Sequence, residues 1–243
     1  MNWKCPEEDN ANMINDRLMD LYKAYYGNNI KSIVYCGVVD EVTYMSVYPR
    51  IVFILREPHS SDTGWSLTNG LRRNVENGLR GMSLEADYMY TWRQAGVWAY
   101  SIINGFNSYD VLKSDFFVAK GLQAIGMTNI KKTGGGASSN LREISFYANK
   151  EKDLWQKELE IMNPHLVICG STYQDVQQNL GLDELNLANI DGKPYSYSVS
   201  GAGHGNCVII DFWHPGTRRN REYILNHLKV LIDKLKGKGL LQS

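Results

Sequence analysis

No apolar run in this chain approaches the ~18–20 residues of a membrane-spanning helix. No charge sign is in excess either, since 26 basic residues stand against 26 acidic ones. The first lack argues against a membrane protein. The second counts against a nucleic-acid binder, whose affinity comes largely from phosphate neutralisation, unless positive charge is local. Cysteine is scarce as well. Cys5, Cys36, Cys169 and Cys207 form no C-x-x-C pair, so neither a disulfide framework nor a zinc site is expected. Three of them lie in or beside apolar runs, where buried thiols in a reducing compartment are the expectation. Low-complexity linkers and internal repeats are absent, which favours one domain over residues 1–243. The opening MNWKCPEEDN is acidic and polar, unlike a secretory or transit signal. The expected location is cytoplasmic, with no membrane partner.

What is present is a recurrence of strand, loop and helix. RIVFIL, GMTNI, HLVICG and NCVIIDF, within residues 50–55, 126–130, 165–170 and 206–212, are short apolar runs. They read as strands of a sheet buried on both faces. NMINDRLMDLYKAYYG spaces Met13, Ile14, Leu18, Leu21 and Tyr25 at helical intervals and stops at Gly27. KDLWQKELEIM over 152–162 is an amphipathic helix. STYQDVQQNLG has Ser171 and Gln174 at capping-box spacing and ends at Gly181. RNREYILNHLKVLIDKLKG closes the chain as a helix. Residues 1–45 read as an N-terminal helical extension and 71–120 as a helical insertion. This alternation predicts a central, mainly parallel sheet of four or five strands with helices on both faces.

In such folds ligands bind beyond the carboxyl ends of the strands. The residues following each apolar run therefore form a candidate site: Arg56, Glu57 and His59; Asn129, Lys131 and Lys132; Ser171 and Thr172; His214, Arg218 and Arg219. Glu57, between a buried strand and Pro58, is a candidate general base, or equally a salt-bridge or cap residue. A neutral His214 can donate to a developing anion, and Asn129 can read a base edge with its paired donor and acceptor. TGGGASS lacks the G-x-x-x-x-G-K-[ST] pattern of a nucleoside-triphosphatase. It can still let a nucleic-acid strand approach the backbone. Trp65 and Trp213, near the proposed rim, are candidates to stack on a base, more so than Trp92. Two local basic clusters stand out, Arg72, Arg73 and Arg80, and Arg218, Arg219 and Arg221.

The order of these pieces resembles the uracil-DNA glycosylase superfamily. The first motif there is G-Q-D-P-Y-H or G-E-A-P-G after a buried strand. Here it is LREPHS, which sets Glu57 against the water-activating Asp, His59 against the Tyr, and Arg56 against the Gln or Glu. TNIKKTGGGASS is similar to the iron–sulfur branch's N-V-V-K-C strand and following loop, and places Asn129 on the base-reading asparagine. HPGTRRN is similar to the terminal H-P-S motif with its trailing Arg-Asn, and places His214 on the histidine that stabilises the departing base. The match runs from about residue 50 to 235 and covers 71–120 only loosely.

The departures are Leu55 for the leading Gly, Glu for Asp, His59 for Tyr, Gly216 for Ser, and Lys132 for a cluster-binding Cys. No iron–sulfur cluster, metal or other cofactor is expected. The resemblance implies a three-layer α/β/α, uracil-DNA glycosylase-like fold and hydrolysis of the N-glycosidic bond of a flipped, deaminated base. Glu57 and His214 would be catalytic, with Arg56, His59, Trp65, Asn129, Ser171 and Arg219 binding substrate. Arg72, Arg73, Lys131, Gly134, Gly135 and Arg218 would hold the strand. The implied partner is uracil-containing or otherwise damaged DNA, bound by a monomer. Two alternatives stand beside it: binding of nucleic acid or nucleotide without cleavage, and hydrolysis of a small nucleoside.

Overall fold

The computed structural model describes residues 14–60, 62–79, 87–136, 138–201 and 206–242. In chain order, α1 (Ile14–Tyr26) leads through a 3-10 turn (Gly27–Ser32) to β1 (Gly37–Val38), α2 (Glu41–Ser46) and β2 (Ile51–Leu55). Then come α3 (Leu67–Glu76), α4 (Asp87–Asn104), α5 (Tyr109–Leu112), α6 (Asp115–Gln123) and β3 (Ile125–Asn129). They are followed by α7 (Leu141–Lys150), α8 (Lys152–Met162), β4 (Leu166–Gly170) and α9 (Tyr173–Leu180). The chain finishes with β5 (Leu185–Ile190), β6 (Lys193–Ser200), β7 (Cys207–Phe212) and α10 (Arg221–Gly237).

The strands form one mixed sheet in the order β1-β3-β2-β4-β7-β6-β5. The four central strands, β3, β2, β4 and β7, are parallel, and they are the four apolar runs of the sequence. The expected four or five strands become seven because antiparallel strands extend both edges. At one edge Gly37 and Val38 pair with β3, so the N-terminal stretch is not purely helical. At the other, β5 and β6 form a hairpin turning at Asp191 and Gly192, both with positive φ. Such φ angles suit the tight turns whose twist matches paired strands.

β2 shows why the centre is so apolar. All five of its residues are buried, with Ile51, Phe53 and Leu55 in one core and Val52 and Ile54 in the other. Period-two alternation sends successive side chains to opposite faces, and both faces are covered. The first core takes α3, α4, α6 and α10, the second α1, α8 and α9. The helices after β2 and β4 thus lie on opposite sides, which opens a crevice at their carboxyl ends.

α4 and α6 cross at Gly96 and Gly121, where a Cβ on Gly121 would overlap the Gly96 carbonyl. That close approach, with an Arg93–Asp115 ion pair at 2.7 Å, holds the start of α4 over the crevice. The expected cap at Ser171 is displaced. Ser171 takes a left-handed φ of 60°, and Thr172 precedes α9, donating its hydroxyl to the Ile54 carbonyl at 2.8 Å. Among the described residues no helix is long and apolar enough to cross a membrane. Cys36, Cys169 and Cys207 are buried free thiols, and Cys5 lies outside the described residues.

Candidate functional site

Parallel register brings the strand ends level. Leu55 is opposite Asn129, and Gly170 is opposite Phe212. Glu57 and His214 therefore each stand two residues past a strand, on the rim where Asn129 ends its own. All three line one cavity of about 430 Å³. Leu55, Pro58, His59, Trp65, Ser139 and Arg218 also line it. The volume lies within the range of small-ligand sites.

The chain after β3 continues alongside the segment after β2. Ile130 N–H donates to the Leu55 carbonyl, Lys131 N–H to Arg56, and Gly135 N–H to Pro58, each at 2.9 Å. The glycine loop is thereby held against Glu57 so closely that a Cβ on Gly135 would overlap the carboxylate. The glycine is required by space rather than by φ. Lys131 lies behind the carboxylate, donating to Glu57 Oε2 at 2.8 Å and to Glu143 Oε1 on α7 at 3.0 Å. Burial pulls the Lys131 ammonium down, but its two carboxylate partners outweigh this and leave its pKa raised. Glu57 is therefore anchored from the side away from the cavity.

His214 is set by backbone contact. The Gly216 N–H donates to His214 Nδ1 at 3.0 Å, so the neutral ring carries its proton on Nε2. Burial, reinforced by the nearby Arg56 guanidinium, pushes its pKa down to about 4. The ring is a neutral N–H donor near pH 7. Glycine at 216 also has a steric reason, because a Cβ would lie 2.7 Å from Thr91 Oγ1 and 3.0 Å from His214 Nδ1. Asn129 is almost fully buried, and its Nδ2 donates to Cys36 Sγ at 3.7 Å.

Other sequence candidates fall in different places. Arg56 donates to the Ser171 carbonyl at 3.3 Å; the two hold each other beside the cavity without lining it. Lys131 and Gly135 hold Glu57 and Pro58 without lining the cavity, and Gly134 does not line it either. Arg219 lies with Arg218, Asn220 and Arg221 in an adjoining open concavity of about 550 Å³. Arg218 is common to both spaces. Arg72 lies apart from the cavity: it donates to the Val39 carbonyl at 2.8 Å and lines a separate space with Asp16, Asp40 and Glu41. Arg73, on the exposed last turn of α3, lines neither space. Arg80 lies outside the described residues. Trp213 is buried among Tyr195, Tyr223 and His227, with Lys193 Nζ 3.8 Å from its ring centre. It does not line the cavity, whereas Trp65 and Trp92 do.

Two lining residues of α4, Tyr90 and Thr91, were not singled out from the sequence. Together with Trp92 they line the cavity next to the segment that follows β7. Tyr90 donates its hydroxyl to the Thr217 carbonyl at 3.0 Å, and the Arg221 guanidinium sits 4.4 Å over its ring. Of the three, only Trp92 was named from the sequence, ranked below Trp213 as a stacking candidate; the structure reverses that order, since Trp92 lines the cavity and Trp213 does not. No protein-family model matches the chain, and a search of curated proteins finds no match.

Proposed function

We propose that the chain hydrolyses the N-glycosidic bond of a deaminated base flipped out of DNA, as a divergent, three-layer uracil-DNA glycosylase-like protein. The observation that carries this is the meeting of Glu57, Asn129 and His214, from three remote segments, in one cavity. Flipping costs a few kcal/mol, and stacking on an aromatic such as Trp65 returns ~1–3 kcal/mol. Asn129 reads the base edge. Glu57 orients a water and accepts its proton as the oxygen bonds to the sugar carbon. The carbon–nitrogen bond breaks, its electron pair leaves with the base, and the Nε2–H of His214 stabilises that charge. Arg218 and Arg219 lie where flanking phosphates would pass.

The test is a set of oligonucleotides carrying uracil, hypoxanthine or xanthine, incubated with the protein and then cleaved at abasic sites. Strand breaks at one of these bases are expected; none with any base at stoichiometric protein overturns the proposal. The Lys131 contact to Glu57 Oε2 favours a second reading, a fold member that binds nucleic acid without cutting it. Glu57→Ala separates the two, because the hydrolytic reading requires turnover to vanish while binding persists. If wild type binds the same oligonucleotides and releases no base, the second reading stands.

A further inference from the structure

Asn129 is enclosed by a closed circuit of buried polar groups that the proposed chemistry does not itself use. Lys132, fully buried, donates to the Asn129 carbonyl at 2.7 Å, to Glu158 Oε2 at 2.7 Å, and to Thr128 Oγ1. Thr128 Oγ1 also donates to Glu158 Oε2 at 2.6 Å. The Tyr22 hydroxyl donates to the other Glu158 oxygen and accepts the Cys36 N–H at 3.3 Å. Cys36 Sγ completes the loop by accepting Asn129 Nδ2 at 3.7 Å. Both the main chain and the side-chain amide of Asn129 are thus held from behind by groups of α1, α8 and the segment before β1.

The ionisation of the members keeps every donor in place. Burial lowers the Lys132 ammonium, yet the Glu158 charge beside it prevails and leaves its pKa raised. Burial raises the Tyr22 phenol well above its ordinary range, and the Glu158 charge adds to that. Burial also raises the Cys36 thiol. Lys132 is therefore a cation, Tyr22 a phenol and Cys36 a thiol near neutral pH.

We propose that Lys132, Glu158, Tyr22 and Cys36 are positioning residues that fix which way round the Asn129 amide faces the cavity, and so set the base selectivity of the site. The proposal rests on the reading of Asn129 as the base-edge contact. With one Nδ2 hydrogen committed to Cys36, the other and Oδ1 remain as one donor and one acceptor. A lactam edge (uracil, hypoxanthine) and the matching amidine edge (cytosine, adenine) present these in opposite order. Turning the amide over would exchange the preference.

The experiment compares wild type with Tyr22→Phe, Cys36→Ala and the double variant Lys132→Met/Glu158→Gln, which avoids a lone buried charge. Cys36→Ala removes only a weak sulfur contact and Tyr22→Phe keeps the ring's bulk, so these single variants carry the test if the double variant fails to fold. Two readouts are taken on variants with intact melting transitions. One is the uracil-to-cytosine and hypoxanthine-to-adenine preference, as kcat/KM or, for a protein that does not cut, as oligonucleotide affinity. It is expected to narrow by ~10-fold or more, the scale of one bidentate base contact. The other is hydrogen exchange at the Asn129 side-chain amide, assigned with Asn129→Asp, which is expected to be slow in wild type and fast in each variant. A merely structural role would lower all activities together and leave the preference unchanged. An unchanged preference in folded variants, or wild-type exchange as fast as that of an exposed asparagine, overturns the proposal. A protein that cuts no base but keeps slow exchange and a narrowing affinity ratio refutes the hydrolytic reading while supporting this one.

Discussion

At the scale of single residues, Glu57 and Lys131 make the sharpest separable pair. Glu57→Gln retains the shape of the side chain and removes its capacity to take a proton. It should lower kcat by about 10²–10⁴-fold, the usual span for a general base, with affinity little changed in an anisotropy titration. Lys131→Met removes the anchor rather than the base. It should reduce turnover less than Glu57→Gln, because the carboxylate survives but loses its fixed direction. Gly135→Ala tests the same carboxylate from above. The added methyl would overlap Glu57, so activity should fall sharply, whereas the loop position predicts little change in melting temperature. Glu57, Asn129 and His214 were readable in advance because each sits at or just past an apolar run, and parallel register carries strand ends to one rim. Arg72 was not, because which way an α3 side chain turns depends on a tertiary contact, its bond to the Val39 carbonyl.

Between elements, the crossing of α4 and α6 governs the wall that carries Tyr90, Thr91 and Trp92. Gly121→Ala would drive a methyl into the Gly96 carbonyl and should cost about 1–3 kcal/mol, as overpacking does. Chemical denaturation measures this, and activity should fall further than stability because the wall is displaced as well. The central strands were legible as short apolar runs, since a strand buried on both faces is apolar for most of its length. The polar end of β3, Thr128 and Asn129, is buried because its groups are hydrogen-bonded. The hairpin of β5 and β6 was not recognised, although Asp191-Gly192 is a strong turn signal, because Leu185–Ile190 has too weak an alternation to read as a strand. In α7 only Ile144 and Ala148 are buried, a stripe too thin to announce a helix. Two residues of β1 give no periodicity.

For the molecule as a whole, charge and protons give two expectations. Net charge is zero, so any DNA affinity must come from local groups such as Arg218 and Arg219. Arg219→Ala should weaken binding about equally across sequences and reduce the salt slope by about one unit, as read from anisotropy at increasing salt. His165 and His214 both have folded pKa values of about 4, depressed mainly by burial, with Arg50 and Arg56 respectively assisting. The ordinary value is about 6.5, so the unfolded chain takes up protons that the folded chain refuses. Their stabilising contribution is complete above about pH 6.5 and is lost as pH falls towards 4. Glu151 and Asp211, whose carboxyls are raised by burial, act in the opposite sense. The measurement is therefore a difference: His165→Asn should flatten the fall of melting temperature between about pH 6.5 and 4 relative to wild type. In the hydrolytic reading, kcat/KM should show no acid limb from His214 until pH approaches 4.

The glycines around the site bear on how it could be retuned. Gly135 abuts Glu57, Gly170 abuts Leu55, and Gly216 abuts Thr91 and His214. At these three positions backbone meets side chain with no spare room, whereas Gly136, which also lines the cavity, has open space where a Cβ would stand. On α4, Trp92 belongs to the core and Tyr90 is tied to Thr217 and Arg221, so trimming either would cost stability. A library meant to reshape the cavity therefore belongs at Gly136, with Gly135, Gly170 and Gly216 left as they are.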